Sequence, residues 1–458
     1  MTHMNSIVCD HCEAEKVGKA CEHLLAKKVG GEYYPSQEHL RNFTGRGIEF
    51  ILICPQCGER PDHGEPFWRT VCDSCVQDIS CGKRLGDFGN PQVLTRQSGL
   101  KLVHQAVVLP TCNFRVIAAK PLAPFDAAAW IILTDTHELI EFNACKPSLH
   151  LATTISALGL SSDQPITVSV SRNGQFVAVT HTYGRDGVVF DRIKKRVAMR
   201  LLRGEYYPEH CKFSAVFFEL ENRQLLIHAT DWNRLDISDP ENGSLLTQRT
   251  PTSYLQGEVR PPHYLDYFHC GLAISPNSEW VADNGWVWHP VGIVVAWNLR
   301  RWLKENVWEA EDGESKKSLC SRSYYWDGPM CWIDNRTVAV WGLGEDDLLL
   351  IPGVRLFDVE SGVEKFSFAG PIASPSTLPM NVRGKEQTVS HQLGTLAFDR
   401  WLFSWQPKGP FSVWDVNDGA RLLIESDFAP LSYHPGTKTF LSQLVDGTFR
   451  LSTIHENL

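Results

Sequence analysis

Ile166-Thr-Val-Ser-Val-Ser171, Arg172-Asn-Gly174, Gln175-Phe-Val-Ala-Val179, Gly187-Val-Val-Phe-Asp191 and Arg196-Val-Ala-Met-Arg200 form the stretch that decides the fold. Ile166 to Val170 reads as a short strand that ends in a polar turn, and Gln175 to Val179 as a second strand that is nearly all apolar. Asn173-Gly174 is a turn signal between them. The third segment closes on an aromatic followed by an acid, and a further turn leads to a fourth strand. The unit reads as a four-stranded antiparallel meander.

The same template recurs along the chain. Cys270-Gly-Leu-Ala-Ile-Ser-Pro-Asn-Ser278 precedes Val294-Val-Ala-Trp-Asn298, and Met330-Cys-Trp-Ile-Asp-Asn335 precedes Val354-Arg-Leu-Phe-Asp358. Gly394-Thr-Leu-Ala-Phe-Asp399 leads to Phe411-Ser-Val-Trp-Asp415, and Leu431-Ser-Tyr-His-Pro-Gly436 to Gly447-Thr-Phe-Arg-Leu451. A worn copy spans 213–246, and Phe114-Arg-Val-Ile117, Trp130-Ile-Ile-Leu133, Glu138-Leu-Ile-Glu-Phe142 and Leu149-His-Leu151 supply another. Seven units result, the last short of a fourth strand that a segment near 100–108 can supply, which would close the ring and remove its open edge. Trp414-Asp415 and its Phe-Asp and Trp-Asn variants resemble the WD-repeat family, although the family's Gly-His dipeptide is missing. The resemblance implies a mainly β fold, a seven-bladed β-propeller over 91–458. Trp297, Phe357, Trp414, Phe190 and Phe142 are expected to fill space between blades.

The composition agrees with a folded chain: 43% of the 458 residues are apolar, and 15 Trp, 22 Phe and 11 Tyr need a buried interior. A net charge of -9 opposes the counterion-release binding that nucleic acid rewards. The longest apolar run, 127–133, is too short to cross a bilayer. The start of the chain carries no secretory signal pattern. No nucleic-acid or membrane partner is expected, and the location expected is cytoplasmic.

Eight of the 14 cysteines fall before residue 82. Cys9-Asp-His-Cys12, Cys54-Pro-Gln-Cys57 and Cys72-Asp-Ser-Cys75 are CxxC pairs, and Cys21-Glu-His23 adds a fourth pair of donors. Zinc takes four soft or borderline ligands, and short-range pairs supply them with little chain strain. Residues 1–90 therefore read as a small zinc-binding α+β domain holding one or two structural ions. Chain order places Cys9, Cys12, Cys21 and His23 on one ion and Cys54, Cys57, Cys72 and Cys75 on the other. An interleaved, cross-braced pairing of the kind RING-type fingers use fits the spacing equally. Cys21 and His23, the Cys54/Cys57 pair, and Trp68 ahead of Cys72, Cys75 and Cys81-Gly82 resemble the ubiquitin-protease-type zinc finger, which implies a module that binds a peptide end or small protein. The histidines that follow the last Cys-Gly in that family are missing. The remaining cysteines, Cys112, Cys145, Cys211, Cys270, Cys320 and Cys331, are expected to act as small apolar groups in a reducing compartment.

The repeat marker steps by about 47 residues from Phe142 to Phe190 to Leu235, then by about 60 to Trp297, Phe357 and Trp414, so three blades carry insertions. They are expected at 251–267, 304–329 and 370–392, each linking the outer strand of one blade to the inner strand of the next, and so together on one face of the ring. Two are aromatic and charged: Tyr254, Arg260, His263, Tyr264 and Tyr267, then Trp308, Tyr324, Tyr325 and Trp326. Such side chains dominate protein interfaces and are the expected partner-binding residues. The third is expected to be extended.

No GxSxG elbow, HExxH helix, phosphate loop or dinucleotide fingerprint is present. The expectation is a non-enzymatic scaffold or adaptor that holds one or more proteins, as a subunit of a complex or as a protein that neutralises a toxin. The alternatives are a RING-like ubiquitin ligase component and a zinc-dependent hydrolase.

Overall fold

In the computed structural model, residues 93–456 are described apart from 110–111, 124–126, 251–253, 255–258, 289–290, 324, 344–351, 372–373, 383–384 and 408. Before residue 93, four short strands are described. Contacts divide the chain into two units, 1–92 with 344–351, and 93–343 with 352–458.

The first unit contains β1 (Gly18–Cys21), β2 (Gln37–Glu38), β3 (Phe50–Ile53) and β4 (Trp68–Val71), in the order β2-β3-β1-β4. β1 runs parallel to β3 and antiparallel to β4. The expected zinc ligands Cys9, Cys12, His23, Cys54, Cys57, Cys72 and Cys75 lie outside the described residues, and only the backbone of Cys21, which ends β1, is within them.

The second unit is a seven-bladed β-propeller. Blades one to six are four-stranded antiparallel meanders whose inner strands are Val116–Pro121, Ile166–Val170, Ala215–Leu220, Phe268–Ile274, Met330–Trp332 and Thr395–Phe398. Blade seven takes Ser432–His434, Thr439–Gln443 and Phe449–Glu456, and its outer strand comes from the other end of the unit, Leu100–Val107. That closure runs in unbroken register from Phe449 opposite Val107 to Glu456 opposite Leu100. Residues just before it are tied to blade six. Thr95 bridges to Arg421, and Arg96 lies 2.5 Å from Asp415 and also pairs with Asp418.

Second strands are buried along their length, as in Ala129–Thr134 and Phe176–His181. This is why their sequences read as continuous apolar runs. The blade markers fill the seams between blades. Phe142 stacks 4.6 Å from Phe449 of blade seven, and Trp414 meets Phe368 of blade five at 6.1 Å. Trp414 also donates its indole N–H to Ser404 Oγ at 2.8 Å, which satisfies the polar end of a buried ring. Phe190, Trp297 and Phe357 are likewise buried in clusters that span adjacent blades.

One insertion differs from expectation. Residues 304–329 do not form a single link between blades, because Lys317–Ser323 is the outer strand of blade four, paired with Val291–Asn298. The extra chain precedes that strand and contains α1 (Leu299–Lys304) and α2 (Glu309–Asp312). Asn298 caps α1 by accepting the Arg301 N–H at 3.0 Å. In a meander, connections from third to fourth strand leave the ring on the opposite side from those joining one blade to the next. The three insertions therefore do not all leave from one face, although the second meets the first where His263 stacks on Trp308. The third, at 370–392, is a two-stranded hairpin, Ser374–Val382 paired with Lys385–Leu393.

Candidate functional site

One face of the ring gathers the connections between blades and those from second to third strand within each blade. Across blades three and four this face carries an aromatic cluster drawn from six separate segments. Tyr206 and Tyr207 come from the link into blade three, Trp232 from the tight turn within it, and Tyr254 and Tyr264 from the link into blade four. Phe268 and Trp286 stand at the ends of two strands of blade four, Trp288 follows its second strand, and Trp326 lies on the link into blade five.

The rings are in mutual contact. Phe268 stacks on Trp286 with centroids 4.1 Å apart, and Trp286 on Trp326 at 4.8 Å. Trp288 stands edge-on to Trp286 at 5.1 Å and to Tyr207 at 5.1 Å. Tyr206 lies 4.9 Å from Trp232 and 5.8 Å from Phe268. Tyr254 meets Tyr264 at 5.1 Å, and the Arg260 guanidinium sits 4.2 Å above the Tyr264 ring. Each such pair contributes roughly 0.5–1.5 kcal/mol beyond its area burial, so the cluster is preorganised. Phe268 and Trp286 form its buried floor, while Tyr206, at 44% exposure, and Tyr254, at 40%, stand open to solvent.

Tyr207 occupies the left-handed region, φ 47 and ψ 47, directly ahead of Pro208. Such a backbone conformation costs of order 1–3 kcal/mol in a non-glycine residue and persists where neighbours enforce it. Arg203 is one enforcer. Buried beneath the loop, it donates to the carbonyls of Gly184 (2.8 Å), Pro208 (2.9 Å), Cys211 (2.9 Å) and Lys212 (3.1 Å). Trp326 Nε1–H adds a bond to the His210 carbonyl at 2.9 Å, fastening this loop to the one before blade five.

The sequence-expected partner residues divide into three groups. Tyr254, Arg260, Tyr264 and Trp326 belong to the aromatic face. Tyr267 and Tyr325 are 2% and 1% exposed and so are not part of any surface; Tyr267 donates its hydroxyl to the Ile293 carbonyl at 2.9 Å. Burial pushes both phenols up. His263 and Trp308 stack on each other at 4.6 Å, with His263 Nδ1 2.8 Å from Asp312 of α2. Tyr324 lies outside the described residues. Tyr206, Tyr207, Trp232 and Trp288 were not among the expected residues. Their signal was an aromatic on each of several adjacent links that emerge on one face.

Arg249 locks the helical insertion to blade three. Its guanidinium pairs with Asp236 and with Glu311 of α2, donates to the Leu235 carbonyl at 2.8 Å, and lies 5.1 Å over Trp308. Burial pushes the Glu311 carboxyl up, against the lowering pull of Arg249.

On the opposite face, a cleft between blades six and seven is lined by Asp399, Arg400, Trp401, Tyr433, Lys438 and Glu456. Its charges neutralise one another, Lys438 with Asp399 at 3.1 Å and Arg400 with Glu456 at 2.9 Å. Among the described residues no group of three or more His, Cys, Asp or Glu is placed to hold a metal ion, and no helix is long and apolar enough to cross a membrane.

The sequence matches no protein-family model and no curated protein. Among solved structures, a chain of a crystal structure of the mitotic checkpoint complex is similar, with 11% identity, a TM-score of 0.47, and coverage of 80% of this chain and 94% of that one.

Proposed function

We propose that this chain is a non-enzymatic scaffold that holds a protein partner on the aromatic face of blades three and four. The observation that carries the reading is the convergence of rings from six segments onto a rigid floor, with Tyr206 and Tyr254 open to solvent. Aromatic side chains with a stacked arginine bury large area at low entropy cost, which is the chemistry of interface hot spots. The links that bear Tyr206, Tyr207 and Trp326 are fastened by Arg203 and by the Trp326 bond to His210, so little ordering of those two links is left for binding to supply.

The N-terminal module is taken to bind one or two structural zinc ions through its Cys and His pairs, and to add a second contact to the same or another protein. The chain is taken to work in the cytoplasm, where its thiols stay reduced. The test is affinity capture from the native cells with wild type beside Tyr206→Glu and Trp288→Ala. Both variants are expected to lose the co-purifying protein at least tenfold while remaining folded, with stability, read from unfolding midpoints, lowered only by the few kcal/mol that their ring pairs contribute. Undiminished capture by both would refute the reading.

A further inference from the structure

Arg203 is 2% exposed, and all but one of the acceptors it reaches are backbone carbonyls. A buried guanidinium is costly unless a negative charge compensates it. No carboxylate among the described residues forms an ion pair with Arg203. The remaining acceptor is the sulfur of Cys211, which takes an Arg203 Nη1–H at 3.3 Å. Among these acceptors only that sulfur can carry a negative charge, as a thiolate.

A second thiol lies against it. Cys211 is 1% exposed and Cys270 3%, and both belong to one buried cluster with Phe268 and Trp286, the floor of the aromatic face. Cys211 ends the link that carries Tyr206 and Tyr207, whereas Cys270 is on the inner strand of blade four. Ser214 Oγ–H holds the two segments together by donating to the Cys270 carbonyl at 3.1 Å. The Cys270 S–H donates to the Cys211 sulfur. That bond and the Arg203 charge draw the Cys211 thiol down against burial and the Asp327 carboxylate. Burial pushes the Cys270 thiol up. One sulfur is therefore the nucleophile and its neighbour a protonated thiol placed to resolve what forms on it.

We propose that Cys211 and Cys270 are a hydroperoxide-reactive pair that closes into a disulfide between the link into blade three and the inner strand of blade four. With hydrogen peroxide, the Cys211 thiolate attacks one oxygen and the O–O bond breaks. Hydroxide leaves and takes up the proton that Cys211 had given up, as water, and the sulfur is left as a sulfenic acid. The Cys270 sulfur, losing its proton, then attacks the Cys211 sulfur. The S–S bond forms at about 2.05 Å, the S–O bond breaks, and the departing hydroxide takes the Cys270 proton as a second water. Two thiols are oxidised by two electrons and one peroxide is reduced to two waters. Exchange with a small thiol reverses the bond. Each cysteine is followed by a partly exposed residue, Lys212 and Gly271, and hydrogen peroxide is much smaller than the alkylating reagents that burial slows.

The test treats the reduced full chain with a few equivalents of hydrogen peroxide and maps its peptides without reduction. A 211–270 disulfide is expected in wild type, reversed by dithiothreitol and formed at least tenfold faster than exposed Cys145 is oxidised. Wild-type chain in which Cys145 is oxidised while 211 and 270 stay unlinked overturns the proposal. The order of attack is read with a sulfenic-acid-specific dione probe. Cys270→Ala is expected to accumulate label at Cys211, and Cys211→Ala to show at least tenfold less at Cys270. Equal labelling, or more at Cys270, overturns the assignment of Cys211 as the nucleophile. The wild-type mapping uses the unaltered chain, so a variant that fails to fold leaves the disulfide itself decided.

Discussion

Replacing Arg249 with methionine tests whether the α1–α2 insertion is a structural wedge. The guanidinium is 2% exposed and stands between Asp236 and Glu311, which are 1% and 3% exposed. Asp236 keeps Arg234 at 2.8 Å and Thr247 Oγ1 at 2.8 Å after the change. Glu311 loses the guanidinium that holds it, and its Oε2 already lacks a hydrogen-bond partner. Breaking a buried pair by removing one member costs about 3–5 kcal/mol, because the other charge stays buried. Arg249→Met is therefore expected to lower stability by about 3–5 kcal/mol at pH 8, read from the denaturant midpoint, with faster amide exchange across 299–316. Combining it with Glu311→Leu removes the stranded charge and is expected to restore most of the loss. The pH dependence has a definite sign. Without Arg249, burial still raises the Glu311 carboxyl and only the weaker pulls of His269 and Lys316 oppose it, so its folded carboxyl takes up a proton more readily than its unfolded one, and the variant's deficit shrinks as pH falls. A single variant within about 1 kcal/mol of wild type, or a double variant no more stable than the single, would refute the reasoning.

Lys316 is held down to about 8 by burial, against the raising pull of Glu311, Asp283 and Asp312. Its unfolded form binds more protons between pH 8 and 10.5, so it adds stability as pH rises through that window, by about 3 kcal/mol in total; Lys316→Met should lack this rise, and parallel stability curves would contradict it. Trp286→Ala is expected to cost about 3–5 kcal/mol, since Trp286 is a buried floor residue, while Trp288→Ala, which loses its edge contacts with Trp286 and Tyr207, should cost less, about 1–3 kcal/mol, both read by thermal unfolding. In native alkylation followed by peptide mapping, exposed Cys145 should react well before buried Cys211, Cys270 and Cys320. Removing residues 93–108 uncovers the edge of Phe449–Glu456 and should make the chain self-associate in light scattering.

The blades were legible because each carries its own short-range evidence: a buried second strand such as Phe176–His181, and a third strand ending in an aromatic and a polar residue that fills a seam. Closure by Leu100–Val107 followed from the shortage of one strand in blade seven. The helical insertion was misplaced because Lys317–Ser323 is polar at most positions and carries little strand signal, so the extra residues before it and the short link after it merged into one apparent loop. The aromatic face was half legible. Tyr254, Arg260, Tyr264 and Trp326 stood out as members of long insertions, whereas Tyr206, Trp232 and Trp288 sit in short links of ordinary length and are brought together by the packing of blade four against blade three. Tyr267 and Tyr325 shared that composition but are turned inward, Tyr267 hydroxyl to carbonyl, an outcome set by packing that residue type does not encode.

Site-specific photocrosslinking compares the two faces directly. A photoreactive side chain is placed at Tyr206 on the aromatic face in one variant and at Lys438, an exposed residue of the opposite face, in another. Irradiation in the native cells should join the co-purifying protein to the chain labelled at 206 and leave the chain labelled at 438 unjoined. Adducts at 438 equal to or stronger than those at 206 would contradict the assignment of the recognition surface.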